Sequence, residues 1–343
     1  MVTKICLAGA GSIGRRHLRL LMERDDVVMC VAEPNPMCQQ AVKDEFPQVP
    51  MYASMEEAVK AEGCEAVIIA TPHGMHAEMA IQAVEMGLHV FCEKPMSDSL
   101  ENCVQMLKVA QKSDKIFSVG FMFRFDPFVQ KVKEIIDSGK IGKIVHYASR
   151  FATYNTLLCS VTQHQEHTPY SLVMDCIHDS DLIYHFTGRI PDYAYSVAYK
   201  AGDMPRSSPQ NFIDTVYRYE DKSMGAHIHF NYVQHPQIHD LQIVGDKGYI
   251  LGDFMSADIT VGSREGTTEV YPSTRSCIGN DFNNVYRTQW NEFLRAIRGE
   301  RKQENPPEQA IVSTLLMYSQ IESAESGKEV DIHAIAERYG YQY

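Results

Sequence analysis

Residues 4–14 read Lys4-Ile5-Cys6-Leu7-Ala8-Gly9-Ala10-Gly11-Ser12-Ile13-Gly14, a short apolar run that ends in glycines with GxGxxG spacing. An amphipathic stretch, Gly14–Glu23, follows, and a second apolar run begins at Val27. Strand, glycine turn, helix and strand in that order open a dinucleotide-binding βαβ unit. Gly9 permits the tight turn, Gly11 lets the backbone approach a pyrophosphate, and Gly14 allows close helix–strand contact. The helix N-terminus at Ser12 and Ile13 then offers N–H donors and a positive dipole end to the phosphates.

Outward from this turn, apolar runs at Ile5–Ala8, Val27–Ala32, Ala66–Ala70, His89–Cys92 and Ile116–Gly120 alternate with helical patterns at Gly14–Glu23, Pro36–Phe46, Met75–Met86 and Asp98–Ser113. Continuous apolar strands separated by helices predict a doubly wound α/β domain whose parallel sheet is covered on both faces. Glu33 ends the second strand, in Val31-Ala32-Glu33-Pro34-Asn35. A carboxylate there accepts hydrogen bonds from a ribose hydroxyl and repels a 2′-phosphate, and no arginine follows at once, so NAD is expected over NADP.

After Arg124 the pattern changes. A helix is expected over Asp126–Asp137, then period-two stretches at Ile144–Ala152, Tyr193–Tyr199, Thr215–Tyr219, Met224–Tyr232 and Leu241–Val244. These predict a large, mostly antiparallel sheet with one open polar face. A helix over Pro169–Phe186 interrupts it, with Thr168 as cap and Gly188 beyond its end. Two late helices are expected over Val285–Arg298 and Pro307–Glu325. The expected organisation is therefore a Rossmann domain over 1–123 and an α+β substrate-binding and oligomerisation domain over 124–343.

The chain has 343 residues, 44% of them hydrophobic, and a net charge of −12. That balance excludes a nucleic-acid backbone or an anionic membrane surface as a partner class. No apolar stretch approaches the roughly 20 residues needed to span a bilayer. Nine cysteines without a CxxC pair predict neither a disulfide framework nor a structural zinc site. With no signal-peptide pattern before the first strand, the reading is a cytoplasmic protein.

Ala70-Thr71-Pro72 and Glu93-Lys94-Pro95 each follow a parallel strand at its carboxyl end, where open α/β sheets bind ligands. An isolated lysine is ordinarily a solvated surface residue, but a proline after Lys94 restrains its backbone and aims its side chain.

On these residues the chain resembles the Gfo/Idh/MocA family of NAD(P)-dependent oxidoreductases, the glucose–fructose oxidoreductase and inositol dehydrogenase group. The resemblance is carried by the Gly9–Gly14 turn, Ala70-Thr71-Pro72 with His76, Glu93-Lys94-Pro95 and Gly120-Phe121-Met122-Phe123-Arg124-Phe125. Asp175-Cys176-Ile177-His178-Asp179-Ser180-Asp181, Val244-Gly245-Asp246-Lys247-Gly248 and Trp290-Asn291-Glu292-Phe293 extend it over essentially the whole chain. It implies cofactor contacts from Gly9, Gly11, Ser12, Ile13, Gly14, Glu33, Thr71, Pro72, His76, Glu93, Lys94 and Arg124. It also implies that Lys94 meets both nicotinamide ribose and substrate hydroxyl, and that Asp175 and His178 form the catalytic pair of the second domain. Two departures stand out: the Asp–His spacing is three where many members have four, and a commonly paired arginine is reduced to Arg124 alone.

Residues three apart share a helix face, so Asp175 and His178 are expected to look into one cleft. Imidazole titrates in the range that suits removal of a hydroxyl proton, and an ammonium group nearby stabilises an alkoxide. The expected activity is oxidation of a secondary hydroxyl of a sugar, glycoside or cyclic polyol by hydride transfer to NAD. Two other readings stay open: a glycoside-cleaving enzyme that oxidises only transiently before elimination, and a non-catalytic dinucleotide-binding regulatory protein. Fourteen histidines cluster at His164/His167, His178/His185, His227/His229 and His235/His239 without a recognised ligand spacing, so no metal is expected. Tyr154, His164 and His167 are expected to line the substrate cleft. The open sheet face predicts a homo-oligomer, dimer or tetramer.

Overall fold

The computed structural model describes residues 2–159, 164–204, 206–207, 209–272 and 282–343, with the side chains of Cys159 and His164 outside the description. The chain divides into two compact units, Met1–Met122 with Asn283–Thr314, and Phe123–Phe282 with Leu315–Tyr343.

The first unit is built on β1 (Thr3–Ala8), α1 (Ser12–Met22), β2 (Val27–Ala32), α2 (Pro36–Glu45), β3 (Met51–Tyr52), α3 (Met55–Glu62), β4 (Ala66–Ile69), α4 (His76–Glu85), β5 (His89–Cys92), α5 (Leu100–Ala110) and β6 (Phe117–Val119). Its six strands run parallel in the order β3-β2-β1-β4-β5-β6, the doubly wound arrangement expected from the alternating pattern. β4 is wholly buried, as a strand covered on both faces must be. Side-chain caps start the helices: Asn35 accepts from the Met37 N–H with Pro36 in the first turn, and Ser54 and Ser99 cap α3 and α5. The short β3 and α3 were not anticipated; α3 buries only Met55, Ala58 and Val59, too few to stand out as a stripe.

The single boundary expected after residue 123 differs from the compact units, because residues 283–314 return to the first. The cause is aromatic. Trp290 and Phe293 lie with ring centroids 4.4 and 5.6 Å from that of Phe91 on β5.

The second unit holds α6 (Pro127–Asp137), β7 (Ile144–Ala152), α7 (Asn155–Cys159), α8 (Ser171–Asp175), α9 (Ile177–Thr187), β8 (Tyr193–Tyr199), β9 (Phe212–Arg218), β10 (Gly225–Asn231), β11 (Ile238–Gly245), β12 (Gly248–Asp253), β13 (Ile259–Ser263) and β14 (Thr268–Tyr271). Later come α10 (Phe282–Ile297), α11 (Pro307–Ser326), β15 (Val330–Asp331) and α12 (Ile332–Arg338), of which α10 and the first part of α11 fall largely in the first unit. Among the described residues nine strands form one sheet in the order β14-β13-β12-β11-β7-β10-β9-β8-β15. All neighbours are antiparallel except β7 and β10. Burial alternates along β9, β10 and β11, and α9 packs on β7 and β10.

The helix expected over Pro169–Phe186 is two helices. Tyr170 precedes α8 at φ 55°, in place of a cap at Thr168, and Cys176 breaks the run between α8 and α9 at φ −90°, ψ 12°. Gly188 does close α9, in the left-handed conformation.

Candidate active site

In the first unit the glycine turn, Glu33, Thr71 and Glu93 gather at the carboxyl ends of β1, β2, β4 and β5. Gly9 has φ +91°, and a Cβ there would lie 2.7 Å from the Ala70 carbonyl oxygen. A Cβ on Gly14 would lie 2.0 Å from the Gly9 carbonyl oxygen, whereas one on Gly11 would meet nothing within 4 Å. The first and third glycines thus seat the turn against its own scaffold, and the second leaves open space in front of it. Gly11 is the N-cap of α1 and no side chain caps that helix, so the first-turn donors at Ser12, Ile13 and Gly14 face outward uncapped.

Glu33 is buried beside the turn. Its Oε2 accepts the Ala10 N–H at 2.7 Å and its Oε1 the Asn35 N–H at 2.8 Å, which fixes the carboxylate at the strand end. Thr71 donates to the Met79 sulfur at 3.7 Å, and Pro72 is exposed. His76 is fully buried, with its ring nitrogens 3.0 Å from the Pro95 and Thr71 carbonyl oxygens. It therefore ties the loop after β4 to the loop that carries Lys94.

Glu93 is buried, and Oε1 accepts from His17 Nε2 at 2.7 Å while Oε2 accepts the Lys94 N–H at 3.1 Å. Burial pushes the Glu93 carboxyl up, but the His17 hydrogen bond and charge, with Lys94 behind them, outweigh it, so the group titrates below the ordinary carboxylate range. Lys94 itself is half-buried, and its bond to Pro95 is cis.

In the second unit, Asp175 ends α8 and His178 lies in the first turn of α9. The break at Cys176 between them replaces the single helix face expected from their spacing. Asp175 Oδ2 accepts from Tyr232 Oη at 2.5 Å and from Gln165 Nε2 at 2.9 Å. Burial first, then the Asp175 charge, push the Tyr232 phenol well above its usual range, so it remains a donor. His178 is buried, its ring centroid 4.5 Å from that of Phe123. The next residues of α9 are anchored from behind. Asp179 accepts from His239 Nε2 at 3.1 Å, and Arg124 donates from Nε and Nη2 to Asp181 at 2.8 and 2.6 Å. Arg124, carried over above as a cofactor contact, is buried at 4% exposure in this ion pair within the second unit.

Tyr154 is half-buried, with its N–H donating to the Gln234 carbonyl at 3.0 Å, and His167 is exposed. The His164 side chain lies outside the described residues. His227 and His229 both hydrogen-bond Asp214 Oδ1, at 3.2 and 2.9 Å. Among the described residues no group of three or more His, Cys, Asp or Glu is arranged to hold a metal ion. No helix of the described residues is long and apolar enough to cross a membrane. Sequence reasoning missed His17, Gln165, Tyr232 and the Arg124–Asp181 pair. The one available signal was a polar His17 set among the buried Gly14, Leu18 and Leu21 of α1.

A doubly wound parallel sheet with an uncapped glycine turn, a strand-end acid and a lysine loop, in a chain that also carries an open-faced antiparallel unit, defines a class of two-unit dinucleotide-binding fold. The chain belongs to the GFO/IDH/MocA family: residues 3–121 match its NAD-binding Rossmann-fold model and residues 133–332 its C-terminal α/β domain. Over 145 residues it is 30% identical to inositol 2-dehydrogenase of Corynebacterium glutamicum, covering 41% of this chain and 43% of that one. Over 140 residues it is 32% identical to 2,7-anhydro-N-acetylneuraminate hydratase of Mediterraneibacter gnavus, covering 41% and 37%. The match thus spans less than half the length of either curated relative. Scyllo-inositol dehydrogenase of Lactobacillus casei, solved with NAD(H) and scyllo-inositol, shares the fold with a TM-score of 0.82 at 22% identity, covering 97% of this chain and all of that one.

Proposed function

We propose that the protein is an NAD-dependent dehydrogenase that oxidises a secondary hydroxyl of a sugar, glycoside or cyclic polyol to a ketone. The observation that carries the reading is the Lys94 loop, locked through Glu93 to α1 on the same sheet edge as the glycine turn and Glu33. The chain's residues fit the cofactor: open space before Gly11 and an uncapped α1 for the phosphates, and a fixed carboxylate for a ribose. A negative Glu33 disfavours a 2′-phosphate, so NAD should bind well ahead of NADP.

NAD, when bound, supplies the hydride acceptor. His178 takes the hydroxyl proton as general base, and Lys94 stabilises the negative charge developing on that oxygen. Asp175, fixed by Tyr232 and Gln165, orients the segment that carries His178. The test is turnover of Lys94→Ala and His178→Ala on a panel of sugars, glycosides and inositols, followed as NADH absorbance. Loss of roughly 10²-fold or more in each variant is expected; near-normal rates in both would remove the mechanism.

A second reading, transient oxidation followed by elimination, is favoured by one observation: a relative of comparable identity bears the name of a hydratase. Substrate conversion without net NADH would select it. Self-association is proposed across the outer sheet face, where Tyr195, Val197, Tyr199 and Val216 stand exposed together on β8 and β9. Light scattering that gives a monomer mass at micromolar concentration would refute that part.

A further inference from the structure

His17 lies one helical turn after Gly14 on α1 and is 0% exposed. Its ring is boxed edge-on by Phe91, Tyr286 and Trp290, at centroid distances of 5.7, 5.5 and 5.0 Å. Among the described residues Nδ1 has no hydrogen-bond partner, while Nε2 is 2.7 Å from Glu93 Oε1. Glu93 is held ionised and a carboxylate can only accept, so His17 Nε2 carries the proton and donates it to Glu93. The other carboxylate oxygen accepts the Lys94 N–H at 3.1 Å. On the far side the chain just after β6 closes in: a Cβ on Gly120 would lie 3.0 Å from Glu93 Oε2, so a larger residue there would press the carboxylate aside by a few tenths of an ångström.

We propose that His17 is a positioning residue that couples the cofactor helix to the substrate lysine, acting through Glu93. The proposal rests on the reading of Lys94 given above. Two hydrogen bonds and one buried carboxylate are all that separate α1, whose N-terminus receives the phosphates, from the backbone of Lys94. A shift of α1 is therefore transmitted to the lysine, and the lysine's place is held by the same helix that holds the cofactor. Without the His17 donor, the Glu93 carboxylate must find another donor or take up a proton in its nearly closed site, and either change disturbs its hold on the Lys94 N–H. The aromatic box alone would give His17 a packing role, but packing does not require a nitrogen aimed at the carboxylate.

The experiment compares His17→Gln, whose amide nitrogen reaches the Nε2 position, with His17→Asn, whose amide stops near Nδ1. Both are made in the full chain and measured with saturating NAD. Three quantities are read: kcat and KM for the best substrate of the panel, and the pH profile of Lys94 labelling by an amine-directed imidoester, followed by peptide mass spectrometry. His17→Asn is expected to lose roughly 10²-fold in kcat with KM little changed, as for a reacting group misplaced by about 1 Å. It is also expected to shift the Lys94 labelling profile, while His17→Gln restores both most of the way. Equal kcat and equal labelling in the two variants would overturn the proposal. The labelling arm needs no substrate, so it separates this inference from the function. If wild type turns over nothing on the panel, a labelling difference still upholds the coupling and its absence still refutes it.

Discussion

Replacing Gly14 by alanine, with Gly11→Ala as its counterpart, tests the cofactor seat at two positions that the structure treats oppositely. At Gly14 the new methyl would start 2.0 Å from the Gly9 carbonyl oxygen, and ordinary contact begins at 3.4 Å, so α1 must withdraw by about 1.4 Å from the turn. Backbone oxygen cannot swing aside as a side chain can. Forced separation of this kind costs about 1–3 kcal/mol. For a unit of this size that lowers Tm by roughly 2–12 °C. The same withdrawal moves the Ser12 and Ile13 N–H groups away from the phosphates. Loss of one charge-assisted hydrogen bond, about 1.5–3 kcal/mol, raises the Kd for NAD by roughly 10- to 150-fold. At Gly11 the methyl meets nothing within 4 Å and the backbone has an ordinary φ of −65°. Gly11→Ala should therefore keep Tm within about 2 °C, since a weaker cap and a stiffer unfolded chain nearly cancel. It should still weaken NAD binding, because the methyl fills the space before the turn. Scanning calorimetry gives Tm and titration calorimetry gives Kd. Unchanged Kd values in both variants would refute the cofactor seat, and an unchanged Tm in Gly14→Ala would refute the packing argument.

Three further outcomes follow from the second unit. Arg124→Met should destabilise by about 3–5 kcal/mol, because Asp181 is left as an uncompensated buried charge; chemical denaturation measures it, and Arg124→Met with Asp181→Leu should regain most of the loss. His185 is held neutral, its pKa lowered to about 3 by burial first and then by Arg124 and Lys133. The stability this gives is complete above the unfolded value near ~6.5 and is lost as pH falls from there toward 3, so His185→Leu should flatten that part of the stability–pH curve. Tyr232→Phe removes the 2.5 Å donor to Asp175, which should lower stability by about 1–3 kcal/mol and, on the proposed mechanism, depress kcat more than it raises KM. A Tyr232→Phe variant with wild-type Tm and kcat would show that the bond contributes nothing.

The first unit was legible because its signals are local and mutually consistent. The Gly9–Gly14 turn, the apolar strand that precedes it and the acid at Glu33 lie within one βαβ unit, and each constrains the others. The second unit was less so. β12 and β13 were missed because Gly248, Gly252 and Gly262 occupy them, where a Cβ would strike the Gly262 oxygen, the Phe128 ring and the Tyr249 ring at 2.4, 2.6 and 2.2 Å. Close packing there demanded the residue that most weakens a strand signal. The break at Cys176 was hidden for a different reason. α9 is buried nearly all round, from Ile177 through Ile183, so no single stripe marks its axis or the point where α8 leaves it. His17 and Tyr232 escaped notice because their partners are 76 and 57 residues away, and no periodicity reports a contact of that kind.

Because Trp290 and Phe293 cover Phe91, the nucleotide-binding half is not a module that can be cut out at a single point. A nascent chain that has just delivered β6 still lacks its aromatic lid, and at about 5–20 residues per second the ribosome needs roughly 10–30 s more to supply it. Throughout that interval the emerging polypeptide carries an uncovered apolar patch on an otherwise complete sheet, a surface that a chaperone would recognise. A graft of this half onto another protein must carry both 1–122 and 283–314, and a fragment that stops after residue 122 is expected to aggregate.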